Sequence, residues 1–432
     1  MEVTKRDLRK SNEYWLRAES VIPAGTQTFS KGPTQFVKGV APIYLDRGKG
    51  SHVIDVDGNE YIDYVMALGP ITLGYSYAEV DQAIVAQLGK GISFSLMHPL
   101  EVELSELLVE LIPCAEMVRF GKNGSDVTSG AVRVARAYTG REKIACCGYH
   151  GWQDWYIGTT TRDKGVPGST KGLTLTFEYD NIESLKKLFA ENSGQVAAVI
   201  MEPIIMAEPT GEFLQEVKEL THRNGAVLIF DEIVTGFRLA LGGAQELFGV
   251  TPDLVTFGKG MANGMPISAI AGKMEIMKEF SEVFFSFTFG GEALSLAAAM
   301  ATINVMKDGN VIQHFWKQGR RLQDGYNSLV RQHGLAGHTQ CIGLPAHAAL
   351  YFRVDGIDSL ELKSLFQQEV IKRGILTMGV HNICFTHTDD DIDRTLEAYD
   401  DALQTLKRAI DEDNIGKYLE GEKLSPIFIR FV

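Results

Sequence analysis

From about residue 75 the chain alternates short apolar runs with amphipathic stretches. The runs Ile144-Ala145-Cys146-Cys147, Ala197 to Glu202, Ala226 to Asp231, Leu254 to Phe257 and Ser268 to Ala271 are almost continuously apolar. They are too short for helices and lack an alternating polar face, so they predict strands buried on both sides, with Val118-Arg119-Phe120 as a shorter one. Between them the spacing predicts helices. Leu100, Leu104, Leu107, Leu108 and Leu111 form one apolar stripe opened by Pro99 and stopped by Pro113. Asp126 to Tyr138 ends at Gly140, and Glu212 to Asn224 ends at Gly225. Buried strands alternating with helices predict an α/β class chain, with a mostly parallel sheet covered on both faces.

The flanks differ. A helix around Lys10 to Glu19 and a loop at Pro23-Ala24-Gly25 precede a meander of short strands at 43–45, 51–55 and 61–64, turned at Asp57-Gly58-Asn59. Beyond a helix from Leu294 to Met306 the chain becomes more polar. Helices at 312–332, 358–373 and 389–411, with short strands near 347–353 and 383–386, predict a smaller α+β domain. The expected division is an N-terminal segment 1–70 that packs with the small domain, a large domain 71–306, and a small domain 307–432.

Composition narrows the function. With 45% hydrophobic and 22% charged residues over 432 positions, a large core is feasible. The net charge of -13, with no run that supplies a concentrated basic surface, argues against a nucleic-acid partner, while leaving room for a local basic pocket. No stretch approaches the roughly 20 apolar residues of a membrane span. The charged start Met1 to Lys10 has no apolar core behind it, which argues against a secretory signal. Five cysteines without C-x-x-C spacing disfavour both a disulfide framework and a zinc site, and His333, His338 and His347, in a polar region, read as surface or structural rather than metal ligands. The expected location is cytoplasmic, so Asn123-Gly124-Ser125 is discounted as a glycosylation acceptor. Glycine, 44 of 432 against a usual share of ~7%, gathers near 121–151, 236–272 and 289–291. Such enrichment suits loops where backbone approaches a ligand.

The chemistry centres on Lys259, which follows Leu254 to Gly258 and precedes Gly260. An amine at a strand end, partly buried, can lose its charge and become a nucleophile and base. Asp231 closes the preceding strand, where a carboxylate needs a cation. An acid and a lysine on successive strand ends suit a pyridine-aldehyde cofactor: the lysine bonds the aldehyde and the acid keeps the ring nitrogen protonated. The blander readings are a salt bridge from Asp231 to Arg238 and a surface lysine. Gly121-Lys122-Asn123-Gly124-Ser125 leads from a strand end into a helix start, where free amides attract a phosphate; a simple cap by Ser125 or Asp126 is the alternative. Tyr149-His150-Gly151 follows another strand end, so Tyr149 can stack on a flat cofactor or merely pack in a turn. Thr288 beside Phe289-Gly290-Gly291 is a second possible phosphate donor. The glycine spacing after Lys259 fits neither a dinucleotide fingerprint nor a P-loop.

Together these stretches, with Ala135 to Arg141, Met201-Glu202-Pro203, Ile229 to Arg238 and His387-Thr388, resemble the class III, fold type I, pyridoxal-phosphate aminotransferases, most of all the glutamate-1-semialdehyde aminomutase branch. The resemblance runs from about residue 20 to 410. It implies a seven-stranded large-domain sheet and pyridoxal 5'-phosphate as cofactor. It implies that Lys259 forms the Schiff base and shuttles the proton, that Asp231 pairs with the ring nitrogen, and that Tyr149 and Ile233 cover the two ring faces. Gly124 and Ser125 would hold the phosphate, with His150 and Glu202 beside the cofactor. Thr288 is expected to reach the phosphate of the neighbouring subunit, which makes a homodimer part of the site.

Three departures bear on the reaction. The branch carries an acidic Phe-Glu-Ala stretch before the C-terminal His-Thr, where this chain has Val380 to Phe385. Glu202-Pro203 leads into Ile204 to Ala207 where related ornithine-type enzymes have Gly-Glu, and Glu292 stands where the branch usually has an asparagine followed by proline. They favour transfer between two molecules, from an amino acid donor such as glutamate to a small aldehyde, keto acid or keto sugar. An intramolecular aminomutase remains the alternative. A non-catalytic binding protein on this scaffold is disfavoured because both Lys259 and Asp231 are present.

Overall fold

A computed structural model describes residues 6–430. The strands in chain order are β1 (Leu45–Lys49), β2 (His52–Asp55), β3 (Glu60–Asp63), β4 (Met117–Gly121), β5 (Lys143–Cys147), β6 (Thr174–Thr176), β7 (Val196–Met201), β8 (Val227–Asp231), β9 (Leu254–Phe257), β10 (Ser268–Gly272), β11 (Thr339–Ile342), β12 (Ala349–Phe352) and β13 (Ile375–Leu376). The chain forms two units. One runs up to Tyr77 and takes in Gln313–Ile427; the other is Ala78–Ile312 with the segment from Phe428 on.

The second unit is built on a seven-stranded sheet of order β4-β10-β9-β8-β7-β5-β6. Every residue of β7, β8, β9 and β10 is buried, as continuous apolar runs require when helices cover both faces. The pairs β5–β6, β5–β7, β7–β8 and β8–β9 are parallel. β10 runs antiparallel to β9 and β4. The link from Phe257 to Ser268 is shorter than the dozen or so residues a parallel crossover needs, which is why the direction reverses here. The helix Gly124–Thr139 lies on this sheet, and its Val127, Ala131 and Val134 join Ile144, Ile200, Ile229, Leu254 and Ile270 in one core cluster.

In the first unit β1, β2 and β3 form the antiparallel meander, and β13 adds to it parallel to β3. The N-terminal segment and residues beyond 370 therefore share a sheet. The helix Arg9–Val21 begins where the Asp57 carboxylate, in the hairpin turn, accepts from the amides of Lys10 and Ser11 at 2.8 and 2.9 Å. Two details differ from expectation. The ladder starts at Leu45 because the amides of Ile43 and Tyr44 donate to Ser11 Oγ instead. Residues 383–386 form no strand: the Cys384 amide donates to His387 Nδ1 and the Phe385 amide to the Thr72 carbonyl, so no ladder develops. Among the described residues no helix is long and apolar enough to cross a membrane.

Candidate active site

Strand C-termini of the large sheet bring the candidate residues together. Asp231 ends β8 with its side chain 3% exposed, and it meets a partner that the sequence did not reveal: His150 Nδ1 lies 2.8 Å from Asp231 Oδ2. The other ring nitrogen of His150 lies 3.1 Å from the Cys147 carbonyl, which can only accept, so Nε2 is the donor there. A proton must then sit between Nδ1 and the carboxylate, because two lone pairs would otherwise face each other. The second Asp231 oxygen accepts from the Ile233 amide at 3.1 Å and from Thr256 Oγ1 at 3.3 Å. This carboxylate is anchored from three strand ends.

Lys259 follows β9 after Gly258, and the register of β8 with β9 pairs Asp231 with Thr256, three residues before the lysine. Its backbone is left-handed, with φ of 35°, a conformation that costs a non-glycine residue about 1–3 kcal/mol. Burial pushes its amine below the ordinary lysine value; the carboxylates of Glu202 and Asp231 oppose that shift, and the Arg238 charge adds to it. The amine is thus close enough to both acids to feel them, while the apolar surroundings favour its neutral form.

Glu202 sits one residue past β7. Its carboxylate accepts from the Tyr149 amide at 2.7 Å, and its own amide donates to the Cys147 carbonyl. Burial raises its pKa, as does the neighbouring Asp231, against the pull of His150, the Tyr149 amide and Arg430. A β-carbon at Gly148 would fall 2.5 Å from this carboxylate, so glycine is what lets the Tyr149 turn close onto β7.

The phosphate-loop candidate lies against the same turn. The helix begins at Gly124 with Asn123 as its cap residue, and the Asp126 carboxylate accepts from the Asn123 amide at 2.7 Å. Neither Ser125 nor Asp126 is the cap, which corrects the simple-cap reading. Ser125 is instead buried inside the first turn, where a β-carbon at Gly151 would come within 2.5 Å of its own. Thr128 Oγ1 donates to the His150 carbonyl at 2.7 Å and fastens this turn to Tyr149-His150-Gly151. Ile233 packs at both glycines that flank the cleft, 3.2 Å from a β-carbon placed on Gly124 and 3.1 Å from one on Gly258. Tyr149 presents a 42% exposed ring beside them, edge-on to Tyr156.

Thr288 is exposed, in a turn flanked by Phe284 and Phe289, which are 78% and 58% exposed. Glu292 caps the helix Ala293–Asp308 and pairs with Lys122 of the candidate phosphate loop at 3.0 Å, both side chains largely buried. Burial raises the Glu292 pKa, but Ser295, Lys122 and the Leu294 amide outweigh it and hold the carboxyl below its usual range. The residue that departs from the aminomutase pattern therefore braces the loop.

A cleft that presents a helix N-terminus, a carboxylate–histidine pair, a depressed lysine amine and an exposed aromatic ring fits a phosphorylated pyridine aldehyde. The fold and these groups define a pyridoxal-phosphate-dependent enzyme. Residues 36–403 match the aminotransferase class-III family, and the chain belongs to that family. It is 38% identical over 419 residues to a 3-aminobutyryl-CoA aminotransferase of Cloacimonas acidaminovorans, covering 94% of this chain and 99% of the relative. It is 36% identical to a glutamate-1-semialdehyde 2,1-aminomutase of Alkaliphilus oremlandii, covering 93% of this chain and 100% of the relative. The structure is similar to that of the FumI protein of Sphingopyxis sp. MTA144 in its PLP internal aldimine form, with a TM-score of 0.88, 29% identity, and 93% and 98% of the two chains covered.

Proposed function

We propose that the chain transfers an amino group between two molecules, from an amino acid donor such as glutamate to a small aldehyde, keto acid or keto sugar. The observation that carries this reading is the placement of Lys259, two residues past β9, beside the strand that ends in the buried Asp231 paired to His150. Pyridoxal phosphate supplies an electron sink for the pair left when a proton departs from the substrate carbon. The chain supplies the rest. Lys259 would hold the cofactor's aldehyde and would carry a proton at the substrate carbon, a task suited to an amine held below its ordinary value. Asp231, with His150 behind it, would keep a proton on the ring nitrogen. Tyr149 and Ile233 would hold the ring. Gly124, Ser125 and the helix N-terminus would receive the phosphate, and Glu202 orients the Tyr149 turn.

The same reading assigns Thr288 to the phosphate of a second subunit, and so a homodimer with shared sites. The exposure of Thr288 and of the aromatic residues around it supports this, as do Leu96 and Met97, 80% and 81% exposed. Large apolar side chains left this exposed favour a partner surface.

Aminotransferase and aminomutase relatives stand at similar identity, so the reaction itself decides between them. With an amino donor and either pyruvate or 2-oxoglutarate, the purified protein is expected to form alanine or glutamate. Isomerisation of a single amino substrate with no new amino acid formed would contradict the intermolecular reading.

A further inference from the structure

The segment Phe428–Arg430 packs within the unit that holds the candidate site. Phe428 stacks on Tyr149 with centroids 5.8 Å apart and planes 18° apart. The Thr161 amide donates to the Ile429 carbonyl at 2.9 Å, the Ile429 amide donates to Thr161 Oγ1 at 3.0 Å, and Arg430 bridges Thr160 in antiparallel register. Side chains alternate along such an extended segment, so Ile429 faces outward, 62% exposed, while Phe428 and Arg430 turn the other way.

Arg430 is half-buried and lines a cavity of about 150 Å³ with Cys147, Gly148, Tyr156, Thr159 and Tyr179, and with Glu178, whose carboxylate accepts from Asn181 Nδ2. Cys147 and Gly148 lead straight into the Tyr149 turn, so the cavity adjoins the cleft. Among the described residues Arg430 makes no hydrogen bond or ion pair, yet its charge is felt by Glu202, Cys147 and Tyr149. A half-buried guanidinium at the wall of a cavity offers paired N–H donors that match a carboxylate or phosphate. The volume suits an anionic end group rather than a whole substrate.

We infer that Arg430 is a substrate-recognition residue that receives an anionic group of the amine or carbonyl substrate, seated there by Phe428 on Tyr149. The inference rests on the proposed role of the cleft. The competing role for Arg430 is to offset the Glu202 charge, which would affect charged and neutral substrates alike.

The test uses the cofactor-loaded protein and follows, by absorbance, capture of the bound cofactor by aminooxy compounds. Aminooxyacetate, 3-aminooxypropionate and 2-aminooxyethyl phosphate are compared with neutral O-ethylhydroxylamine, and saturation of each rate gives the affinity of the initial complex. In Arg430→Gln the affinity for at least one anionic reagent is expected to fall by about tenfold or more, with O-ethylhydroxylamine changed by less than about twofold. Arg430→Lys recovers part of the loss, Phe428→Ala shows the same selectivity more weakly, and the carboxylate and phosphate reagents tell which anion is received. Equal slowing of all four reagents, or no slowing, overturns the inference. A wild-type protein without the absorbance of covalently held cofactor, seen before any reagent is added, brings down the proposed function and this inference together.

Discussion

Replacing Lys259 by alanine is expected to lower kcat/KM by about 10⁴-fold or more, because one side chain serves as both nucleophile and proton carrier. The variant should still bind cofactor through the phosphate loop and the Asp231–His150 pair, so binding and turnover separate. The lysine also has a consequence for stability. Its amine is held below its ordinary value by burial, so keeping it charged in the folded state costs stability, a penalty fully present below the folded-state pKa and lost as pH rises to the unfolded value. Lys259→Met should therefore raise the Tm of the cofactor-free protein at pH 7. The gain should shrink as pH rises toward the ordinary lysine pKa of about 10.4. A Lys259→Ala protein with wild-type turnover would remove Lys259 from the reaction.

Asp231→Asn is expected to lower kcat by roughly 10²–10³-fold, the usual effect of losing a preorganised electrostatic partner in a buried site. The amide keeps the volume and can still accept from Ile233 N and Thr256 Oγ1. It no longer offers a full negative charge to a ring nitrogen. Asp231→Ala is predicted to be worse for the fold as well, by about 3–5 kcal/mol, because it strands the fully buried His150 without its partner. Denaturant unfolding of the two variants measures that difference. Wild-type kcat in the asparagine variant would show that the carboxylate does not act on the cofactor.

Much of this was legible in the chain because the informative residues sit where local rules operate. Strand ends are marked by apolar runs that stop at Asp231 or Phe257, and the phosphate loop by glycines before a helix. The pairing of Asp231 with His150 was not legible: it joins β8 to the turn after β5, two strands away in the sheet order, and sequence distance carries no sign of it. Local spacing likewise suggested a cap at Ser125 or Asp126, whereas the cap is Asn123 and Ser125 is buried by the close approach of Gly151. The strand expected at 383–386 failed because its apolar residues bury themselves through isolated bonds to loops instead of a ladder. Phe428 and Arg430 lie in a short segment with no periodic pattern, and only their contacts with Tyr149 and the cavity give them meaning.

The most direct test of the central claim is borohydride reduction of the cofactor-loaded protein followed by peptide mapping. The pyridoxyl label is predicted on the peptide that contains Lys259, with Asp231→Asn still labelled at the same residue. A label on any other lysine, or none in a protein that has taken up cofactor, would contradict the account.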